Sequence, residues 1–426
     1  MEIKDLYKLF LRHPFVNTDT RHLKPGDIFF ALRGSNYNGN EFVHQALDAG
    51  AAFVITDQEP AIHKDERIIK TVDSLTTLQD LAKYHRQQFK IPFLAITGSN
   101  GKTTTKELIY RVLSTSYKTY ATEGNLNNHI GIPLTILRIK NDAEIAVIEM
   151  GANHVKEIEG YCMYAMPTHG LITNLGKAHL EGFGSVEAIR QAKGELFEYI
   201  KSSQGIAIVN NDDPYIKEMS KNIQNVFSYG EAHGNVIGYA INKSSYLEVE
   251  ITNGLSIKTL STQLIGNYNL LNVLAAIAAG KIFNVSELKI KEAIESYIPG
   301  NSRSQMLKLG TNTIILDAYN ANPSSMKAAI ENFETMPGSR KILLLGSMME
   351  LGSESKREHQ DLVTLINKHK WKEVALVGPN FKEVDHKYRA FNNVSELSVW
   401  FKEQEFENCT ILIKGSRSME MEKVLD

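Results

Sequence analysis

Cysteine is almost absent: Cys162 and Cys409 are the only two in 426 residues. Two cysteines exclude a disulfide framework and a thiolate zinc site, and such sparing use fits a reducing cytosol. An excess of charge of either sign is missing too. Lys+Arg 47 against Asp+Glu 49 leaves a net charge of −2. That balance argues against a nucleic-acid-coating surface or a polybasic membrane patch, so no nucleic-acid partner is expected. Small anionic ligands stay open, because a few local groups hold them. No apolar run reaches the ~18 residues needed to span a bilayer, and no membrane insertion is expected. The densest stretch, Leu270 to Ala279, is interrupted by Asn272 and reads as a buried helix. The opening Met1-Glu2-Ile3-Lys4-Asp5 lacks the basic-then-apolar design of a signal peptide, so a cytoplasmic location is expected. Repeats and low-complexity tracts are also missing. What the chain does have is length. At ~150 residues per domain it predicts roughly three domains, each able to bury its own core.

The first of these shows one β-α-β pattern. Asp27 to Leu32 reads as a strand, Gly34 to Asn40 as a polar loop, Glu41 to Ala49 as a helix stopped by Gly50, and Ala51 to Thr56 as a second strand. Gln87 to Pro92 reads as a linker, since Pro92 disfavours helix at Ile91. From Phe93 the pattern alternates. Phe93 to Thr97, Ile145 to Ile148, Leu171 to Thr173 and Gly205 to Asn210 read as strands, with a helix from about Thr103. Between about Asn225 and Ile265 polar and apolar residues alternate, which predicts a small antiparallel patch. A helix follows over Asn269 to Phe283, and a second break lies at Ile298 to Ser302. Beyond it Ile314 to Leu316, Lys341 to Leu345, Val374 to Val377 and Ile411 to Ile413 are strands separated by helical patterns. Such alternation predicts α/β domains with parallel sheets covered on both faces. The predicted divisions are 1–90, 91–299 and 300–426.

The strongest local signal is Thr97-Gly98-Ser99-Asn100-Gly101-Lys102-Thr103-Thr104-Thr105, between a strand and a helix. Glycines let backbone N–H groups approach phosphate oxygens, and the helix N-terminus adds positive potential. Lys102 can reach terminal phosphates and Thr103 can ligate Mg²⁺. Ile96 stands where the general pattern has another glycine, so this is a shortened G-x-x-G-K-T loop. Glu149 ends an apolar strand, where a carboxylate either binds Mg²⁺ or is merely solvated. His179 follows a strand and a glycine turn, and is either structural or at the same sheet edge. Lys193 lies in a helical stretch; as an ammonium it would repel Mg²⁺, and composition favours a surface or salt-bridging role. Asn269 and Asn272 share one face near a helix start, and either cap it or read an adenine edge. Asp317 can accept from ribose hydroxyls, while Asn322 or Ser324 alternatively caps a helix starting near Ser325. Arg303 stands in the linker that follows the second break, free to touch a ligand between domains. Lys414-Gly415-Ser416-Arg417 suits a carboxylate, or a plain turn.

Together these pieces resemble the Mur ligase family over nearly the whole chain. The first domain carries Asp19-Thr20-Arg21 and Gly26 to Gly34. The middle one carries Thr97 to Thr105, Glu123 to Asn128, Glu149-Met150-Gly151, Asn174 to His179, Ala192 to Glu195 and Asn269-x-x-Asn272. The last carries Asp317 to Pro323, Gly346 to Gly352, His359 and Lys414 to Arg417. The loop marks only the wider family; the Asp317 and Gly346 segments point to its dipeptide-adding branch. Where relatives often have Gly-x-His-Asn, this chain has Gly266-Asn267-Tyr268-Asn269, and the tyrosine can stack similarly.

The resemblance implies a small α/β N-terminal domain, a central phosphate-loop domain and a C-terminal Rossmann-like domain. It implies ATP and Mg²⁺, and the joining of D-alanyl-D-alanine to UDP-N-acetylmuramoyl-tripeptide through an acyl phosphate. The neighbouring readings are another ligase of the family or a non-catalytic, nucleotide-gated binding protein. By resemblance, the loop from Gly98 through Ser99, Asn100, Gly101, Lys102, Thr103 and Thr104 holds ATP phosphates. Thr103 and Glu149 serve one Mg²⁺; His179 and a carbamylated Lys193 serve a second. Carbamylation replaces a repelling ammonium with an anionic oxygen ligand. Asn269, Asn272, Arg303 and Asp317 bind the nucleotide. Thr20, Arg21, Gly34 and Asn40 grip the UDP part, and Asn125 and Asn128 face the muramoyl-peptide. Tyr319, Asn320, Asn322, Lys414, Ser416 and Arg417 orient the dipeptide. The chain is expected to act as a monomer.

Overall fold

A computed structural model describes residues 1–59, 65–241, 245–300 and 302–426. Asn301, inside the second break, and 242–244, inside the alternating stretch, lie outside the described residues.

The first region is a four-stranded parallel sheet in the order Val16–Asn17, Ile28–Phe30, Phe53–Thr56, Ile68–Lys70. The β-α-β pattern lies at its centre, joined by the helix Val43–Asp48. Two helices that carried no reading from sequence, Ile3–Arg12 and Ser74–Arg86, complete it. Ser74–Arg86 is capped by Asp73, whose carboxylate accepts from Thr76 N. It packs against the helices Gly131–Leu137 and Glu157–Ala165, and so fixes the first region to the central one.

The central sheet runs Thr259–Ser261, Glu248–Asn253, Val236–Ile241, Asn225–Gly230, Ile206–Asn210, His169–Ile172, Phe93–Thr97, Ile145–Glu149, Thr119–Ala121. Phe93–Thr97 and Ile145–Glu149 are buried at every position, as a strand covered on both faces must be. The antiparallel patch is smaller than its sequence suggests. Asn225–Gly230 pairs in parallel with Ile206–Asn210, and antiparallel pairing begins only at Val236–Ile241. The apolar stretch at Leu270 is the helix Leu270–Ile282, which is buried over Val273 to Gly280 and packs on Lys102–Ser114. Each leucine or isoleucine fully buried there contributes about 1.5–3 kcal/mol. That rigid pair holds the phosphate loop's helix.

The last sheet has the order Gln305–Leu309, Asn312–Asp317, Thr410–Lys414, Lys341–Gly346, Glu373–Val377, Arg389–Phe391. All its pairs are parallel except the hairpin of Gln305–Leu309 with Asn312–Asp317.

Burial also makes this fold sensitive to acid. His169 lies inside the central sheet, its Nδ1 2.8 Å from Thr168 Oγ1 and its ring 4.9 Å from that of Phe283. Burial pulls its pKa from 6.5 down to about 4. Between those values the unfolded chain binds a proton that the native state refuses, so stability falls as pH drops through that window. The expected loss from this group between pH 7.5 and pH 5 is about 2 kcal/mol. His169→Gln should flatten that part of the pH dependence, read from urea midpoints at the two pH values. An unchanged slope would show that His169 does not contribute.

Candidate active site

The phosphate loop leaves the C-terminal end of Phe93–Thr97 and enters the helix Lys102–Ser114. Two glycines allow its path. Gly98 has φ +141° and Gly101 φ +77°; a Cβ on Gly98 would come within 2.0 Å of Thr173 Oγ1, and one on Gly101 within 2.6 Å of Asn272 Oδ1. The neighbouring strand end ties the loop down. Ser99 N donates to Asn174 O at 3.0 Å, Asn100 N to Asn174 Oδ1 at 3.0 Å, and Thr173 Oγ1 to Asn100 O at 2.6 Å. The first amides of the helix, at Lys102, Thr103 and Thr104, are free by helix geometry to meet an anion. Lys102 Nζ folds back onto the loop, donating to Gly98 O at 2.8 Å and Ser99 O at 3.3 Å. Burial draws its pKa below the ordinary lysine range, against the opposing pull of Glu149.

Glu149 closes the adjacent strand and is 1 % exposed. Its Oε1 accepts from Thr103 Oγ1 at 3.1 Å and Asn127 Nδ2 at 2.8 Å. Its Oε2 is buried and has no hydrogen-bond partner. A buried carboxylate oxygen left so is costly unless a cation or water completes it. Among the described residues no group of three His, Cys, Asp or Glu forms a metal cage. A hydroxyl, a carboxylate, waters and substrate phosphates are the set Mg²⁺ takes, so Thr103 and Glu149 fit that ion.

Lys193 sits on the helix Val186–Ser202, 1 % exposed, with Nζ 3.2 Å from Ala152 O. The surface or salt-bridging role that composition favours does not hold, because the side chain is buried and no ion pair reaches this ammonium among the described residues. Burial, helped by the charge of Lys102, lowers its pKa to about 7. Glu195, two residues on, accepts from Lys156 N at 2.6 Å and Glu159 N at 2.9 Å. It thereby pins the helix Glu157–Ala165 beside Lys193. His179 bonds through Nδ1 to Glu350 Oε2 of the last domain. That leaves Nε2 as its remaining ligand nitrogen.

The nucleotide-side candidates are largely engaged within the protein. Asn269 Nδ2 donates to Ile265 O at 2.8 Å, and Asn272 Nδ2 to Asn269 Oδ1 at 2.8 Å. Asn272 Oδ1 accepts from Thr105 Oγ1 at 3.0 Å, so the two amides brace the phosphate loop from behind and neither caps its helix. Asp317 is held by Lys414 Nζ at 2.5 Å and by Ser304 N at 3.0 Å. Tyr268 Oη reaches the same Ser304 Oγ at 2.8 Å. Arg303 stacks on the Tyr319 ring at 3.4 Å and keeps a buried, unpartnered Nε.

On the dipeptide side, Lys414 also donates to Asn320 O at 3.2 Å, and Ser416 Oγ accepts from Met349 N at 2.8 Å. Arg417 pairs with Glu422 at 2.6 Å on the surface. Asn322 caps the helix Pro323–Thr335 in a reciprocal box with Ser325, and its Nδ2 also donates to Asn100 Oδ1 of the phosphate loop at 2.8 Å. Of the muramoyl-side pair, Asn125 is exposed, while Asn128 Oδ1 accepts from Gly131 N at 2.9 Å. In the first domain Asn40 Oδ1 accepts from Thr56 Oγ1 at 2.6 Å, and Gly34 is exposed in a short hairpin with Tyr37. Arg21 pairs with Asp19 at 2.6 Å. Thr20 and Arg21 lie between Asn17 and His22, which line a cleft of about 580 Å³ with Lys24, Leu134 and Arg138.

Sequence reasoning named no role for Asn127, Lys177, Glu350 or Glu358, and gave Ser324 only a cap that the structure assigns to Asn322. Asn127 and Glu350 lay inside motifs already noticed. The cross-domain pair Lys177 Nζ to Glu358 Oε1, at 2.6 Å, left no local trace because its partners are 181 residues apart.

A phosphate loop at a parallel sheet's edge, faced by a Rossmann-like domain, defines a multidomain nucleotide-dependent α/β enzyme. Three family descriptions match in succession: "Mur ligase family, catalytic domain" over 13–86, "Mur ligase middle domain" over 96–280 and "Mur ligase, glutamate ligase domain" over 302–417. UDP-N-acetylmuramoyl-tripeptide–D-alanyl-D-alanine ligase of Bacillus subtilis is 34% identical, covering 96% of this chain and 92% of that protein. Its Escherichia coli counterpart is 34% identical over the same shares. Crystal structures of MurF from Acinetobacter baumannii (TM-score 0.87, 29% identity, 96% and 92% covered) and of MurF ligase from Thermotoga maritima with ADP (TM-score 0.87, 27% identity, 97% and 97% covered) share the fold. The chain belongs to the Mur ligase family.

Proposed function

We propose that the protein is the ATP-dependent amide ligase that joins D-alanyl-D-alanine to UDP-N-acetylmuramoyl-tripeptide, the last cytoplasmic step in building the peptidoglycan precursor peptide. One observation carries the chemistry. Lys102, Thr103 and Glu149, with its unpartnered Oε2, converge at the sheet edge beside buried Lys193. The relatives' full-length similarity carries the substrate pair. The cytoplasmic location rests on the sparing cysteine use; no helix among the described residues is long and apolar enough to cross a membrane.

A carboxylate does not acylate an amine at neutral pH, so the tripeptide's terminal carboxylate is first activated by the γ-phosphoryl group of ATP. The oxygen–phosphorus bond to ADP breaks as the carboxylate oxygen bonds phosphorus. The dipeptide amine then attacks the acyl carbon, loses a proton and expels phosphate. Loop amides and Lys102 hold the phosphates and oppose the charge that develops during transfer. Thr103 and Glu149 would hold Mg²⁺, which supplies further opposing charge and aligns the phosphates. Lys193, with its pKa lowered to about 7, offers an unprotonated amine to CO2 at neutral pH. The N–C bond of a carbamate forms there with loss of one proton, and the result is an anion in place of an ammonium. The docked last domain excludes water, to which an acyl phosphate is vulnerable.

Phosphate release with ATP, Mg²⁺ and UDP-muramoyl-tripeptide, with and without D-alanyl-D-alanine, tests the reading. Release that needs both substrates, and a pentapeptide by mass analysis, is the expected result. Nucleotide binding with no turnover on either substrate would replace it with a nucleotide-gated binding protein.

A further inference from the structure

Two carboxylates of the last domain grip one short segment of the central domain. Glu358 takes Lys177 Nζ at 2.6 Å, while Glu350 takes His179 Nδ1 through its side chain and Glu181 N through its carbonyl at 3.0 Å. Ser324 Oγ accepts from Lys177 N at 2.9 Å in the same contact. The facing residues are both unusual. His179 has φ +53° and Glu350 φ +60°, a left-handed backbone that non-glycine residues seldom adopt and that tends to mark functional positions.

The loop bearing Glu350 is itself fixed on two sides. Met348 N donates to Nε2 of buried His359 at 3.0 Å, and His359 Nδ1 donates to Ser355 O at 2.7 Å. Met349 N donates to Ser416 Oγ at 2.8 Å. The backbone that carries Glu350 is therefore a braced turn, although the side chain itself is 53% exposed.

The geometry points to Glu350 as a positioning residue: docking of the last domain brings its carboxylate to Nδ1 of His179, fixes the Nδ1–H tautomer and reserves Nε2 for the phosphate-transfer site. This rests on the proposed ligase reading together with the family resemblance, which gives His179 to a second Mg²⁺ at that site. A histidine that ligates a metal through one nitrogen is characteristically oriented by a carboxylate, carbonyl or water on the other, and loss of that partner costs about 10–100-fold. Here the carboxylate comes from a different domain. Transfer competence is then tied to closure, so the carboxylate is not activated while water still has access.

Glu350→Ala, Glu350→Asp and Glu350→Gln test this in the full chain. The glutamine keeps an acceptor oxygen at the same reach; the aspartate keeps the charge but falls one methylene short. Ring ¹⁵N NMR of His179 with a non-hydrolysable ATP analogue and Mg²⁺ reads the tautomer. Steady-state kinetics separates kcat from KM. The wild type and Glu350→Gln are expected to show Nδ1–H, with kcat within about fivefold of each other. Glu350→Ala and Glu350→Asp should show mixed tautomers and a kcat lowered about 10–100-fold, with KM for the UDP-tripeptide within about twofold. An unchanged tautomer in Glu350→Ala and Glu350→Asp, or an unchanged kcat despite a changed tautomer, would overturn the inference. If Glu350→Ala does not fold, Glu350→Asp against Glu350→Gln decides alone. A wild type that makes no pentapeptide would sink the ligase reading while the NMR comparison still judged the tautomer.

Discussion

Lys193→Ala should lower ligation about 1,000-fold while leaving affinity for ATP within about threefold, because the loss falls on the transfer step. The side chain is 1 % exposed, and its pKa is lowered to about 7 by burial first and by Lys102 second. An ordinary structural ammonium would not be left in such a place with no carboxylate partner among the described residues, only the Ala152 carbonyl at 3.2 Å and the Phe183 ring at 5.2 Å. Lys193→Arg should do no better than alanine, since a guanidinium cannot give up its charge and cannot take up CO2. Single-turnover measurement of ADP formation reads the loss directly. Incubation with ¹³C-bicarbonate should give a carbamate resonance in the wild type that both variants lack. Ligation by Lys193→Ala within tenfold of wild type would remove this lysine from the chemistry.

What the sequence disclosed, and what it hid, follows from the range of the interactions involved. The phosphate loop was legible because its parts are contiguous: the strand Phe93–Thr97, the turn and the helix Lys102–Ser114 each follow from local pattern. The parallel sheets were legible from apolar runs alternating with helical spacing. The helices Ile3–Arg12 and Ser74–Arg86 were not singled out, although Ser74–Arg86 carries its own cap at Asp73. Lys193 shows the limit most clearly. Its spacing suits a surface lysine, and only the packing of Val186–Ser202 against its neighbours buries it. In the same way Asn269, Asn272 and Asp317 look like free ligand groups in sequence, yet each has found an internal partner. Interdomain partners such as Glu350 and Glu358 show their contacts only when the central and last domains are placed together.

Glu149→Gln should separate stability from activity in opposite directions. In the wild type Oε1 is satisfied by Thr103 and Asn127, but Oε2 is buried without a partner. Glutamine keeps the shape, keeps an acceptor for those two donors and removes the buried negative charge. The nearby Lys102 charge offsets only part of the cost of burying this one, so its removal should leave the free enzyme melting at the same temperature or slightly higher. The second oxygen is what Mg²⁺ would take, and an amide nitrogen cannot ligate a hard cation. Ligation should therefore fall about 100- to 1,000-fold. Mn²⁺ binding, followed by electron paramagnetic resonance in the presence of ATP, should weaken with it. A stabilised protein with near-normal turnover would mean that Glu149 only braces Thr103 and Asn127. A destabilised one with weakened Mn²⁺ binding would mean that its charge is compensated even without the ion. Loss of metal and turnover in a protein that melts no lower is the signature of a carboxylate kept at some cost to the fold for the cation it is built to meet.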